Sequence, residues 1–405
     1  MFLKKSKLTS GKIVGISGSK SISNRLLILK YCFDGLQIKN LSTAEDTVLL
    51  HKALLEDNSI IDVHHAGTAF RFLTSYFSIL KSETHILTGS ERLQQRPIKD
   101  LVDALVSIGA KIEYLGETGY PPIKIIGTKI IESSVKINGN ISSQFITSLL
   151  LIAAKLENGL TVEIVGKITS KPYLEMTISL LTDLGIDIIW QDNNIVVKPL
   201  STPLNKTITI ESDWSSASYF YSLVAIGKKE IGLCSFTIPS LQGDSVLMEI
   251  YRKYFGVDSV WDNSSKQIQL KPIPNFEYPS IISLNLNNCP DIAQTICVTA
   301  TILKIPFHFT GLETLKIKET DRLVALQNEL LKIGCKTTIS DEGIFSDEFV
   351  QPLSEISIET YSDHRMAMSF APYCLEDTIQ INDPKVVEKS YPNFWKDLQS
   401  ITTII

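Results

Sequence analysis

One pattern recurs along this sequence and limits what it can become: an amphipathic helical stretch stops at a glycine, and a strand, a polar turn and often a second strand follow. It is read in LVDALVSIGAKIEYLG (101–116), ISLLTDLGIDIIWQDNNIVVKP (178–199), LMEIYRKYFGVDSVWDNSSKQIQLKP (247–272) and LVALQNELLKIGCKTTISDEGIF (323–345). Gly109, Gly185, Gly256 and Gly334 stand where helical periodicity ends, the position of a helix C-cap. Their spacing, about 75 residues, is too long for a small solenoid repeat and suits one compact α/β subunit. A weaker copy is read over 48–63, with Asn58 at its turn, and NFWKDL (393–398) reads as another helix of the set. Five or six such units in 405 residues predict two similar α/β domains of about three units each. No Pro-rich or low-complexity linker separates them. The best hinge is Ile210-Glu211-Ser212-Asp213.

Composition narrows the partners. Lys plus Arg number 39 and Asp plus Glu 44, a net charge of −5, which argues against a surface built for nucleic acid or anionic membrane. The longest apolar stretch, 145–154, is about half of the roughly 20 residues a membrane helix needs. Cys32, Cys234, Cys289, Cys297, Cys335 and Cys374 form no CxxC pair, so neither a zinc ribbon nor a dithiol redox motif is present. The start, MFLKKSKLTS, is basic but no apolar segment follows it, so no secretory signal is expected and the expected location is the cytoplasm.

The second regularity carries chemistry. Seven polar clusters each precede an apolar helical run: GSKS (18–21), AGT (66–68), SSQ (142–144), DWSS (213–216), CPD (289–291), KETDR (318–322) and SDHR (362–365). Helix capping explains any one of them, because Ser, Thr and Asp satisfy the free N–H groups of a helix start. Capping does not explain Lys20, Arg25, Lys318, Arg322 and Arg365 beside those starts. A helix N-terminus is mildly unfavourable for cations unless an anion is bound there, so the pattern implies phosphate or carboxylate ligands. Ser21 and Arg25, spaced i,i+4, share a helix face with Lys20 just before them, and Lys318 and Arg322 are read in the same way.

GSKS lacks the upstream glycine of a nucleotide-binding phosphate loop. Asp291 follows Pro290 and reads either as a first-turn residue stabilising the helix dipole or as an acid/base group; Glu319, i,i+3 from Arg322, reads either as the partner in a surface ion pair or as an acid/base group. His364 has no Ser or Cys partner at triad spacing. The six histidines show no metal-ligand spacing.

Taken in order, GSKSISNR (18–25), AGTAFR (66–71), RPI (96–98), SSQF (142–145), SKPY (170–173), PDIAQT (290–295), KETDR (318–322) and DHRMAM (363–368) resemble the landmarks of the EPSP synthase family of enolpyruvyl transferases, over nearly the whole chain. The resemblance implies an α/β fold of two similar domains, each of three βαβαββ repeats in an inside-out barrel. It implies residues 1–18 with 213–405 as one domain, 19–212 as the other, and an active site in the cleft between them. It implies transfer of the carboxyvinyl group of phosphoenolpyruvate to the 5-hydroxyl of shikimate 3-phosphate, with release of phosphate, without metal or organic cofactor. No residue pattern addresses quaternary structure, and a monomer is expected.

Carried over by position, Lys20, Ser21, Arg25, Ser142, Ser143, Gln144, Ser170, Asp291 and Lys318 would hold shikimate 3-phosphate, with Tyr173 nearby. Lys20, Gly67, Arg96, Gln144, Arg322, Arg365 and Lys389 would hold phosphoenolpyruvate. Asp291 would take the proton of the attacking hydroxyl, and Glu319, with Lys20, would protonate the methylene carbon. Both substrates are phosphate-bearing carboxylates, so they share a site only if cations offset their repulsion.

Three positions depart from the family pattern: His65 stands for Asn, Phe72 for Pro and Thr314 for Asn. The related transferases that act on UDP-N-acetylglucosamine use a loop cysteine in the first half, whereas this chain has none between Cys32 and Cys234. An inactive anion-binding protein would have no use for two carboxylates that repel its ligand.

Overall fold

The helix–glycine–strand repeats fold as small four-stranded sheets, two in each of two units. The structure, a computed structural model, describes residues 1–405 apart from Asp57 and Ile141. The chain divides into Met1–Ser17 with Glu211–Ile405, and Gly18–Ile210.

In the unit Gly18–Ile210, one repeat runs through strand Ile60–Asp62, helix Gly67–Ser78, strand Thr84–Thr88, helix Lys99–Ser107 and the strands Lys111–Tyr114 and Ile123–Ile126. Ile60–Asp62 and Thr84–Thr88 are parallel, and the closing strands form an antiparallel pair whose second member adds to Thr84–Thr88. Ser134–Asn138, Ser143–Ala153, Leu160–Val165, Lys171–Asp183, Ile188–Gln191 and Asn194–Val197 repeat that order and pairing. The third repeat is reduced. Lys206–Thr209 pairs in parallel with Leu36–Lys39, which lies between helices Lys20–Cys32 and Glu45–Leu55. The weak copy over 48–63 therefore yields a helix and a strand but no hairpin, because Ile60–Asp62 opens the next sheet. It includes Asp57, outside the described residues.

The other unit contains Ile282–Asn285, Ala293–Ile302, Phe307–Thr310, Arg322–Lys332, Cys335–Ile339 and Ile344–Phe349 as one complete repeat. A second repeat is interrupted: strand Lys12–Gly15 pairs in parallel with Ile231–Cys234, although the helix that joins them, Trp214–Gly227, follows only after residues 18–210. The third repeat needs both chain ends. Phe2–Leu3 pairs with Ile379–Ile381, and Ser6–Leu8 with Thr402–Ile404.

All four repeat glycines adopt the left-handed backbone of a helix stop, with φ of 109° at Gly109, 86° at Gly185, 68° at Gly256 and 93° at Gly334. A side chain would strain each of them. The helices these glycines end are amphipathic. The helices that open the repeats, among them Gly67–Ser78, Ser143–Ala153, Trp214–Gly227 and Ala293–Ile302, are buried on almost every side. Each unit thus places helices inside and sheets outside.

Burial of such helices requires their hydroxyls to bond one another. In one unit Ser75 Oγ lies 3.0 Å from Ser148 Oγ, and Arg71 donates to Gln144 Oε1 at 2.7 Å. Both pairs have one sequence offset, so helices Gly67–Ser78 and Ser143–Ala153 run parallel with their N-termini at the same end. In the other unit Ser218 and Thr295 (3.0 Å) and Ser222 and Thr299 (2.8 Å) make the matching pair of contacts. These helix pairs therefore bring the AGT and SSQ clusters to one end in the first unit, and the DWSS and CPD clusters to one end in the other. No helix among the described residues is long and apolar enough to cross a membrane.

Candidate active site

Five of the seven polar clusters cap their helices in the literal sense. Ser19, Ser142, Asp213, Asp321 and Asp363 each accept a backbone N–H from the first turn that follows. Capping sets the helix starts, and the neighbouring cations are what remains to be explained.

In the unit Met1–Ser17 with Glu211–Ile405, four cations and three carboxylates form one connected cluster. Arg322, only 2% exposed, opens helix Arg322–Lys332 and sends its guanidinium in three directions. Nε donates to Asp363 Oδ2 at 2.7 Å, Nη2 to Glu319 Oε2 at 2.9 Å, and Nη1 to Asp291 Oδ1 at 3.4 Å. Burial opposes the charge of Arg322, but Asp363 and Glu319 outweigh it, and its pKa is raised. Arg365 Nη2 donates to Asp291 Oδ2 at 2.9 Å and Nη1 to the Asp291 carbonyl at 2.7 Å. Lys389 Nζ stands 2.7 Å from Glu319 Oε1, and Lys318 Nζ 4.0 Å from Asp291 Oδ1. Asp291, Lys318, Glu319, Arg322, Arg365 and Lys389 are thus brought together.

The expected i,i+4 helix face for Lys318 and Arg322 does not form. Glu313–Ile317 is a short 3₁₀ segment, Lys318 is extended, and the helix begins only at Arg322 behind its Asp321 cap. The two cations meet instead through Asp291. His364 is buried beside Asp363 at 3.7 Å, and Thr314 is half-buried in the 3₁₀ segment.

In the unit Gly18–Ile210 the expected residues form two groups. Arg25, 2% exposed, donates from Nε to Thr177 Oγ1 at 2.8 Å, from Nη1 to the Ser21 carbonyl at 2.7 Å and from Nη2 to the Tyr173 carbonyl at 3.2 Å. Its guanidinium also faces the rings of Phe72 and Tyr173 at 5.8 and 6.0 Å. Burial lowers its pKa to about 10, with Tyr173 opposing the shift, so Arg25 is still a cation at neutral pH. These hydrogen bonds all go to neutral oxygens, which leaves its charge available to an anion. The contact with Ser21 uses the backbone carbonyl of the i,i+4 pair.

The second group surrounds Gly67. A Cβ there would stand 2.3 Å from Arg96 Nη1 and 3.2 Å from Arg71 Nη1. The absence of a side chain lets two guanidinium groups lie over its backbone. Gln144 accepts from Arg71 and donates to Thr68 Oγ1 at 3.2 Å. Lys20 pairs with Asp46 at 3.6 Å, and His65 Nδ1 lies 2.7 Å from Ser90 Oγ. Ser143 is buried in the first turn after the Ser142 cap, and Ser170 takes a left-handed φ of 53° before helix Lys171–Asp183.

Sequence reasoning left out Asp363, Arg71 and Asp46 as functional residues. Asp363 and Arg71 lie inside DHRMAM and AGTAFR. Arg71 carries a readable signal, one helical turn beyond Gly67. Asp46 carries none, because an acid in the first turn of a helix is ordinary. Among the described residues no group of three or more His, Cys, Asp or Glu is placed to hold a metal ion.

Comparison with known proteins identifies the family. The sequence model of the family described as EPSP synthase (3-phosphoshikimate 1-carboxyvinyltransferase) matches residues 31–398. The chain is 43% identical over 393 residues to the 3-phosphoshikimate 1-carboxyvinyltransferase of Bacteroides fragilis, covering 95% of this chain and 94% of that protein. It is 33% identical over 430 residues to the protein of the same name from Mannheimia succiniciproducens, with 96% of each covered. Among solved structures it resembles EPSP synthase from Acinetobacter baumannii, with a TM-score of 0.75, 21% identity and coverage of 99% of this chain and 98% of that one. The enolpyruvyl transferase NikO from Streptomyces tendae has the same fold, with a TM-score of 0.74, 13% identity and coverage of 100% and 98%. The chain has the enolpyruvyl transferase fold, and it belongs to the EPSP synthase family, the 3-phosphoshikimate 1-carboxyvinyltransferases.

Proposed function

We propose that the charged clusters of the two units divide the work of one reaction, the transfer of the carboxyvinyl group of phosphoenolpyruvate to the 5-hydroxyl of shikimate 3-phosphate. Lys20, Ser21, Arg25, Ser142, Ser143, Gln144 and Ser170, with Asp291 and Lys318, hold shikimate 3-phosphate. Lys20, Gly67, Arg96, Gln144, Arg322, Arg365 and Lys389 hold phosphoenolpyruvate. The observation that carries the reading is that two carboxylates, Asp291 and Glu319, share the guanidinium of Arg322 at 3.4 and 2.9 Å. A site for anions alone would exclude them, whereas proton transfer needs them.

In this reading Asp291 accepts the proton of the 5-hydroxyl as that oxygen bonds to C2 of the enol, and Glu319, with Lys20, delivers a proton to C3. The product is a tetrahedral ketal phosphate. Loss of a proton from C3 back to Glu319 and departure of phosphate from C2, carrying away the proton that Asp291 took from the hydroxyl, restore the double bond and both carboxyl groups. Arg96, Arg322, Arg365 and Lys389 neutralise the leaving phosphate, a preorganised electrostatic contribution. All assigned residues come from one chain, so the reading needs no second copy. The six cysteines are free and five of them are buried, which supports the cytoplasm as its location.

The test is phosphate release by the purified protein from phosphoenolpyruvate, with shikimate 3-phosphate or UDP-N-acetylglucosamine as acceptor. Release with shikimate 3-phosphate alone is expected. Release only with the sugar nucleotide, or with neither, overturns the reading.

A further inference from the structure

Asp244 is a buried acid that the reaction described above does not use. It lies in the 3₁₀ turn Gly243–Val246, with 5% of its surface exposed. Ser215, in the first turn of helix Trp214–Gly227, donates its hydroxyl to Asp244 Oδ2 at 2.6 Å. The other oxygen, Oδ1, is buried and has no hydrogen-bond partner among the described residues. A carboxylate in that position leaves an acceptor unsatisfied in a low-dielectric site, which is costly unless the group carries a proton.

Its surroundings are those of the acid/base cluster. Asp291 and Asp213 repel an ionised Asp244, and Arg365, the residue that grips Asp291, attracts it. Cys289, two residues before Asp291, has its thiol pKa raised by burial and by the charges of Asp244 and Asp291. Glu249, on the helix that follows the turn, is exposed. Burial first, and Asp291 second, push the Asp244 carboxyl up to about 7. The group therefore changes charge near neutrality.

We propose that Asp244 is a positioning residue of the anion-binding cluster: protonated, it leaves Arg365 to Asp291 and to anionic substrate, and ionised, it competes for Arg365 and repels that substrate. The inference rests on the reading that Arg365 and Asp291 serve the transferase reaction. It assigns to Asp244 a fall in kcat/KM on the alkaline side that no contact between Asp244 and substrate is needed to produce.

The experiment is the ratio of kcat/KM at pH 6 to that at pH 8.5 for phosphoenolpyruvate in the phosphate-release assay, with saturating shikimate 3-phosphate. One buried charge near the cluster predicts a ratio of about 10 for the native protein. Asp244→Asn keeps the shape and removes the titration, so its ratio is expected to fall to within about 3 of unity. Ser215→Ala keeps the acid but removes the donor that favours its ionised form, so the limb moves to higher pH. Equal profiles for the native protein and both variants overturn the proposal and leave the transferase reading intact. Absence of phosphate release from the native protein strikes the transferase reading itself. If Asp244→Asn fails to fold, Ser215→Ala decides alone.

Discussion

Arg365 holds Asp291 at two points, the carboxylate through Nη2 at 2.9 Å and the backbone carbonyl through Nη1 at 2.7 Å. One planar fork thus fixes both where Asp291 sits and which way its carboxylate turns. A lysine supplies the charge but cannot make both contacts. Arg365→Lys is therefore expected to lower kcat by about 100-fold, the scale of a misplaced general base. Steady-state phosphate release against both substrates checks this, and a kcat within threefold of native contradicts it.

Asp363 is fully buried and takes Arg322 Nε at 2.7 Å while capping the helix that carries Arg365. Asp363→Asn leaves the Arg322 charge without its main partner inside the protein. The expected loss of stability is about 3–5 kcal/mol, the cost of breaking rather than replacing a buried pair. Denaturant unfolding measures it, and a change below about 1 kcal/mol shows that Glu319 and Asp291 alone suffice for Arg322.

Gly67 lies beneath the guanidinium groups of Arg96 and Arg71. A methyl there displaces the flexible end of Arg96 and leaves the backbone in place, since φ at this position is not in the left-handed region. Gly67→Ala is expected to raise KM for phosphoenolpyruvate about tenfold with a thermal midpoint close to native, because binding geometry changes and packing does not. A large drop in the midpoint instead makes the glycine a folding requirement.

The pKa of Asp244 fixes the sign of a stability effect. Its folded value, about 7, lies above the ordinary 3.8. The folded state therefore binds the extra proton, and its stabilising contribution, complete below pH 4, is lost as pH rises through 7. Asp244→Asn does not titrate. Its stability relative to native is expected to grow between pH 4 and pH 7 by about 3 kcal/mol. Unfolding curves at several pH values test this, and a constant difference rules it out.

What the sequence made legible follows from which positions have only one physical solution. The four repeat glycines were readable because a helix stop needs a left-handed backbone, and all four have it. The polar clusters were readable because free N–H groups at helix starts select Ser, Thr and Asp. The insertion of residues 18–210 between strand Lys12–Gly15 and helix Trp214–Gly227 left a trace only at Ile210–Asp213, because strand pairing is a long-range choice with no local signature. Helices Trp214–Gly227 and Ala293–Ile302 carry weak periodicity since nearly every face is buried. Asp46 and Asp363 resembled ordinary first-turn and capping acids, and only their distances to Lys20 and Arg322 set them apart.

The central claim is that Glu319, fixed between Lys389 at 2.7 Å and Arg322 at 2.9 Å, moves a proton rather than binding substrate. The most direct test is Glu319→Gln, with kcat from phosphate release set beside dissociation constants for both substrates from equilibrium titration. The account predicts a kcat lower by about 100-fold or more, with dissociation constants within about tenfold of native. A kcat close to native, or a loss of activity matched by an equal loss of affinity, contradicts it.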